Sequence, residues 1–135
     1  MKLLATGGLG FIGSNFIRYM LTKYNDIQII NLDKLSIGSN PANLKDVEKY
    51  KRYKFVKGDI TDRKLIKNLI NQTDAIVNIA AETHVDRSIA DPWPFVNSNT
   101  IGALNLFEAA REQGRRVLHV STDEIYGDII QGSFK

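Results

Sequence analysis

Thr122, Asp123 and Glu124 set a hydroxyl beside two carboxyl groups, directly after an apolar run containing Val117, Leu118 and Val120. Two neighbouring acids repel when both are ionised, and burying either is costly unless it is paired or protonated. A loop that needed only solubility could use Lys, Ser or Asn. The set suits proton chemistry instead. A hydroxyl can orient a substrate oxygen, a protonated carboxyl can give a proton to a leaving group, and a carboxylate can accept one. These three are the candidate catalytic residues, and the bland alternative is a helix cap or a surface acid pair.

A second set lies near the amino terminus. Gly7, Gly10 and Gly13 follow the spacing Gly-x-x-Gly-x-x-Gly between a short apolar run and an amphipathic segment. Glycine permits a tight turn, close approach of the backbone to a pyrophosphate, and close helix–strand contact. The helix start then offers N–H donors and partial positive charge to phosphates. Asp33 ends the next apolar run, twenty residues after Gly13. An acid there can bind the hydroxyls of an adenosine ribose and would repel a 2′-phosphate, which favours NAD over NADP; Lys34 next to it works against that exclusion. A purely structural turn is the alternative.

Two further stretches carry polar groups at the ends of apolar runs. In Gly58-Asp59-Ile60 the acid could accept from an adenine amino group or cap the following helix. Ala80 and Ala81 are small enough for a cofactor to lie against the backbone, and Glu82, Thr83, His84, Asp86 and Arg87 follow at once. An ion-paired loop is the alternative for His84, Asp86 and Arg87.

The elements that must position these groups alternate. Lys2–Thr6 predicts a buried strand and Phe11–Lys23 a helix, with Ile12, Phe16 and Met20 on one face and Ile17, Leu21 and Tyr24 beside them. Ile27–Leu32 predicts strand two, residues 33–44 a loop, and Tyr53–Val56 strand three. A helix over Arg63–Asn71 starts from Thr61 or Asp62. Ala75–Ala80 predicts strand four. A long helical stretch opening at Asp91-Pro92-Trp93-Pro94 and ending at Gly114 precedes strand five, Val117–Val120. The fold class expected is α/β, a doubly wound parallel sheet of the Rossmann type with its first five strands present and the carboxyl-terminal end incomplete. Every candidate group then sits at the carboxyl edge of the sheet, where open α/β sheets bind ligands.

Bulk properties bound the rest. The 135 residues suffice for one domain, with 43% hydrophobic and 24% charged residues, the balance of a soluble globular protein. No apolar run approaches the roughly 18 residues of a membrane span, and the apolar start is too short for a signal peptide; a cytoplasmic location is expected. There is no cysteine, so a disulfide framework and a thiolate zinc site are excluded, and no metal site is expected. A net charge of +3 implies no polyanionic partner. The basic and aromatic stretch of residues 49–57, KYKRYKFVK, could bind nucleic acid. It reads more simply as the solvated approach to strand three, so no nucleic-acid partner is expected.

Together the stretches TGGLGFIGS, AAETHVDRSI and HVSTDEIYGD resemble the nucleotide-sugar 4,6-dehydratases of the extended short-chain dehydrogenase/reductase class, most of all the members acting on dTDP-glucose. The resemblance runs over the whole chain. Related epimerases and decarboxylases share the glycine turn but usually carry Ser-Ser or Thr-Ser in place of Thr122-Asp123. The resemblance implies NAD as cofactor, dTDP-glucose as substrate, oxidation at C4, loss of water across C5 and C6, and reduction at C6. It implies Asp123 as the acid toward the C6 hydroxyl, Glu124 as the base at C5, and Thr122 as a hydrogen-bond partner of the C4 oxygen. It further implies NAD contacts from Phe11, Ile12, Asp33, Lys34, Leu35, Ser36, Asp59, Ile60, Ala80, Ala81, Thr83 and Ser98, and sugar-nucleotide contacts from Thr83 and His84. A homodimer formed by helix pairing is implied, with the helix over residues 96–113 contributing.

One feature of that class is missing. Its oxidation step uses a Tyr-x-x-x-Lys pair on a helix after strand five. Here the spacing occurs at Tyr19/Lys23, Tyr50/Lys54 and Tyr53/Lys57, all before strand four. The sequence therefore reads as the amino-terminal part of an enzyme, with the sugar-nucleotide domain absent and the 135-residue chain expected to be inactive alone. The alternatives are a UDP-sugar epimerase or decarboxylase, and a non-catalytic NAD-binding module.

Overall fold

The computed structural model describes residues 1–127 and 131–132, with the side chains of Asp123 and Glu124 outside the description. Five strands form one parallel sheet: β1 (Lys2–Thr6), β2 (Gln28–Asp33), β3 (Tyr53–Lys57), β4 (Ala75–Asn78) and β5 (Arg116–His119). Their order is β3-β2-β1-β4-β5. The chain winds outward from β1 in one direction and then, through β4, in the other. This reversal leaves a crevice beyond the carboxyl ends of β1 and β4.

Period-2 alternation divides the buried side chains between the two faces of the sheet. Leu3 and Ala5 of β1 and Ile29 of β2 pack with Ile17 and Leu21 of α1 (Phe11–Lys23). Leu4, Ile30, Leu32 and Ile76 face the other way, onto Ile66, Leu69 and Ile70 of α2 (Arg63–Asn71) and onto Leu106, Ala109 and Ala110. Strands buried on both faces need apolar residues at successive positions, as these have.

Asp62, not Thr61, caps α2, its carboxylate accepting from the N–H groups of Lys64 and Leu65 at 3.0 Å each. Arg52, from the basic stretch, donates to the carbonyls of Leu21, Tyr24 and Ile27 at the end of α1. That gives the arginine a structural task.

Several expected boundaries are corrected. Strand four ends at Asn78, so Ala80 lies in the loop beyond it, and strand five runs Arg116–His119 rather than to Val120. The segment after His84, for which no element was predicted, forms a short helix, α3 (Val85–Ala90). Residues 33–44 include a 3-10 turn, Pro41–Leu44. The long helix is composite: α4 (Trp93–Phe95), a π-helical segment (Val96–Gly102), and α5 (Ala103–Glu112). Periodicity cannot reveal a π segment, because it distorts the 3.6-residue repeat over only two turns.

Candidate functional site

Between the glycine turn, the ends of β2 and β3 and the loop after β4 lies a cleft of about 320 Å³. Its floor is the glycine turn. Gly7 has φ +68°, and a Cβ there would come within 2.7 Å of the Ala80 backbone; a Cβ on Gly13 would come within 2.3 Å of the Gly7 carbonyl oxygen. Both glycines are therefore required by the fold itself. Gly10 is different. Its φ is −73°, and an added Cβ would meet only the Gly7 carbonyl oxygen, at an ordinary 3.5 Å. No protein atom requires glycine there, so the empty space serves the cleft.

Gly10 is also the N-cap of α1, and no side chain caps that end. The first turn, which borders the cleft, contains no acidic residue, so its N–H groups suit an anion. The residues fit the diphosphate of a dinucleotide on these grounds.

Asp33, 4% exposed, forms one wall. One carboxylate oxygen accepts from the Leu9 N–H at 2.9 Å, the other from the Leu35 N–H and the Ser39 hydroxyl, both at 2.8 Å. The carboxylate thus holds the glycine turn and the loop after β2 to the strand. A carboxylate has about four acceptor positions, so one remains for a ligand hydroxyl. Leu35 does not line the cleft; it adopts φ 64°, which folds the loop back so that its N–H reaches Asp33. Asp59 lines the cleft as well, and its Oδ1 accepts from the N–H and hydroxyl of Thr61 at 2.9 and 3.0 Å.

The opposite wall is the loop after β4. Ala80, Ala81, Glu82, Thr83 and His84 all line the cleft. Asn99, in the π-helical segment, clamps this loop: the Glu82 N–H donates to its side-chain oxygen at 2.9 Å, and its amide donates to the Glu82 carbonyl at 2.8 Å. Ser98 lines the cleft next to it. The Lys34 ammonium crosses from β2 to this wall, donating to the Ser98 hydroxyl at 2.7 Å and lying 3.1 Å from the buried Glu82 carboxylate. Arg87 Nη1 approaches the second Glu82 oxygen at 3.7 Å. Beneath the cleft, Thr6 donates to Asn78, whose amide meets His119 Nδ1 at 2.9 Å across β4 and β5.

A family model described as GDP-mannose 4,6 dehydratase matches residues 4–135. The chain belongs to this nucleotide-sugar dehydratase family. Among related proteins, the low-salt glycan biosynthesis protein Agl12 of Haloferax volcanii is 46% identical over 99% of this chain. The dTDP-glucose 4,6-dehydratase of Mycolicibacterium smegmatis is 46% identical over 96%. The chain spans 43% and 38% of their lengths, respectively. The crystal structure of DesIV, a dTDP-glucose 4,6-dehydratase from Streptomyces venezuelae with NAD bound, superposes with a TM-score of 0.92 at 47% identity, covering 99% of this chain and 43% of that one. The family resemblance and the Rossmann-type sheet read from the sequence are therefore correct.

Within this dehydratase-family domain the structure brings together Gly7, Gly10, Phe11, Ile12, Gly13, Asp33, Lys34, Ser36, Asp59, Ile60, Ala80, Ala81, Thr83, His84 and Ser98 around one cleft. Thr122 is exposed and does not line it. Asp123 and Glu124 begin a 3-10 turn, Asp123–Tyr126, and their side chains lie outside the described residues. Sequence reasoning noticed Glu82 among the polar groups after strand four but gave it no role, and it missed Asn99. A charge inside a small-residue loop was the available signal for Glu82. Nothing local marked Asn99, whose partner is seventeen residues away. Among the described residues no helix is long and apolar enough to cross a membrane.

Proposed function

We propose that this chain is the NAD-binding portion of a cytoplasmic dTDP-glucose 4,6-dehydratase, forming a 4-keto-6-deoxy sugar nucleotide. The observation that carries this reading is the cleft itself: an uncapped helix start, a buried ribose-height carboxylate and a small-residue loop converge at the sheet's switch point. The dTDP-glucose dehydratases among its relatives support this choice of reaction.

NAD+ bound there would take up hydride from C4 of the sugar and return it to C6. The residues of this chain do the remaining work. The first-turn N–H groups of α1 and the bare backbone at Gly10 receive the diphosphate, and Asp33 offers its remaining acceptor position to the adenosine ribose. Asp59 offers a carboxylate oxygen toward the adenine. Ala80 and Ala81 leave room beside the nicotinamide end, with Thr83 and His84 toward the sugar nucleotide. Thr122 orients the C4 oxygen. Once C4 is a ketone the C5 proton is acidic; Glu124 removes it as Asp123 protonates the departing C6 hydroxyl, and water is lost. The two acids act as a pair in opposite protonation states.

Oxidation at C4 calls for a base, and residues 120–135 contain no Tyr-x-x-x-Lys spacing. The assay therefore compares this chain with one that continues into a helix carrying Tyr-x-x-x-Lys and a sugar-nucleotide domain. Given NAD+ and dTDP-glucose, the longer chain yields the 4-keto-6-deoxy product and this chain does not. A C4-epimerised sugar from the longer chain would instead assign the domain to an epimerase, and NAD+ binding without product from either would leave a binding module. The exposed Trp93, Ile101 and Leu104 support homodimer formation through the composite helix.

A further inference from the structure

Lys34 is the only lysine or arginine lining the cleft among the described residues, against three acids, Asp33, Asp59 and Glu82. It directly follows the carboxylate at the adenosine-ribose position, where a free ammonium would attract a 2′-phosphate. It is not free. Its Nζ lies 3.1 Å from Glu82 and donates to Ser98 at 2.7 Å, on the far wall of the cleft. Glu82 has no room to turn away: it is 7% exposed, and both its backbone groups are held by Asn99. Arg87, on the other side of Glu82, is too distant to compensate by direct hydrogen bonding, at 3.7 Å.

We propose that Glu82 is a cofactor-specificity residue: by holding the Lys34 ammonium in an ion pair, it denies that cation to a 2′-phosphate and keeps the cleft selective for NAD+ over NADP+. The inference rests on the dinucleotide reading of the cleft and adds a second determinant to Asp33. Without the Glu82 charge, Lys34 becomes a cation within reach of the ribose edge and the surplus of acids falls by one. The hydrogen bonds between Asn99 and the Glu82 backbone do not involve its side chain, so Glu82→Gln leaves them in place.

The experiment is calorimetric titration of this chain with NAD+ and with NADP+, comparing the ratio of the two dissociation constants between variants. The unaltered chain binds NAD+ more tightly. In Glu82→Gln the ratio falls about tenfold or more, as expected for one charge contact at a partly exposed site. Adding Lys34→Met to that variant restores the original ratio, whereas a loss of structure alone would not be reversed by a second substitution. Lys34→Met by itself leaves the ratio where it was. If Glu82→Gln does not fold, Glu82→Asp takes its place: the shorter side chain draws the carboxylate away from the Lys34 ammonium and should lower the ratio in the same direction. An unchanged ratio in Glu82→Gln, with NAD+ still bound by the unaltered chain, overturns the role of Glu82 alone. The same holds if Lys34→Met by itself weakens NADP+ selectively. Binding of neither dinucleotide by the folded, unaltered chain overturns both the inference and the reading beneath it.

Discussion

The Asp33 carboxylate accepts the Leu9 backbone N–H at 2.9 Å, joining the end of β2 to the glycine turn that follows β1. A residue whose position suggested a ligand contact is thus also a strut of the site. Removing it leaves the Leu9 and Leu35 N–H groups and the Ser39 hydroxyl without their acceptor. Asp33→Ala should therefore destabilise the chain without any ligand, by about 2–4 kcal/mol, since each buried orphan costs about 1–3 kcal/mol and the effects overlap. Urea unfolding measures it. Unchanged stability would mean that Asp33 serves the ligand alone.

Gly13 and Gly10 should separate under substitution. Gly13→Ala forces a Cβ against the Gly7 carbonyl oxygen and should destabilise strongly, whereas Gly10→Ala should cost less than about 1 kcal/mol, the scale of an N-cap change. Gly10→Ala should nevertheless lose NAD+ binding, because its methyl group enters the space kept for the diphosphate. Paired thermal unfolding and NAD+ titration test this, and a Gly10→Ala chain that binds as tightly as the original would count against the cradle.

Asn99 holds the Glu82 backbone through both a donor and an acceptor. Asn99→Ala removes both, leaving the Glu82 backbone without these two hydrogen bonds. We expect a loss of about 1–3 kcal/mol in stability, together with faster amide exchange at Glu82. Hydrogen exchange followed by mass spectrometry would report unchanged protection if the clamp were unimportant.

At high pH a different contact matters. Burial holds the Tyr53 phenol above its ordinary value, partly offset by the hydrogen bond from the Asn31 amide at 2.9 Å. A raised folded-state value means the folded chain holds this proton more tightly than the unfolded one. Its contribution is complete below about pH 10 and is lost as pH rises through the folded value. Stability should fall in that alkaline window, and Tyr53→Phe should flatten the fall while costing the Asn31 hydrogen bond. Denaturant unfolding across alkaline pH, with tyrosinate absorbance to identify the late-titrating phenol, measures both effects.

Much of the fold and the list of candidate contacts was legible in the sequence. β1, α1 and α2 have the expected bounds because a buried strand and an amphipathic helix write their periods locally. The places that were misread are those where tertiary contacts override local pattern. Ala80 is apolar like a strand residue, yet β4 has already ended, and the Ala80 backbone instead lies close against Gly7. Val85–Ala90, for which the sequence suggested no element, forms a short helix that begins directly after His84 of the cleft.

The sequence by itself determined the alternation of strands and helices, the glycine turn, the family, and which side chains could meet a dinucleotide. Those depend on residue type and spacing along the chain. The tertiary structure alone decided that Asp33 braces the glycine turn, that Asn99 clamps the Glu82 backbone, and that Lys34 reaches Glu82 and Ser98 across the mouth of β1. Each of these pairs joins residues from 17 to 64 positions apart. A parallel sheet brings such residues together only when its strand order is settled, and that order is a property of the packed core rather than of any local stretch.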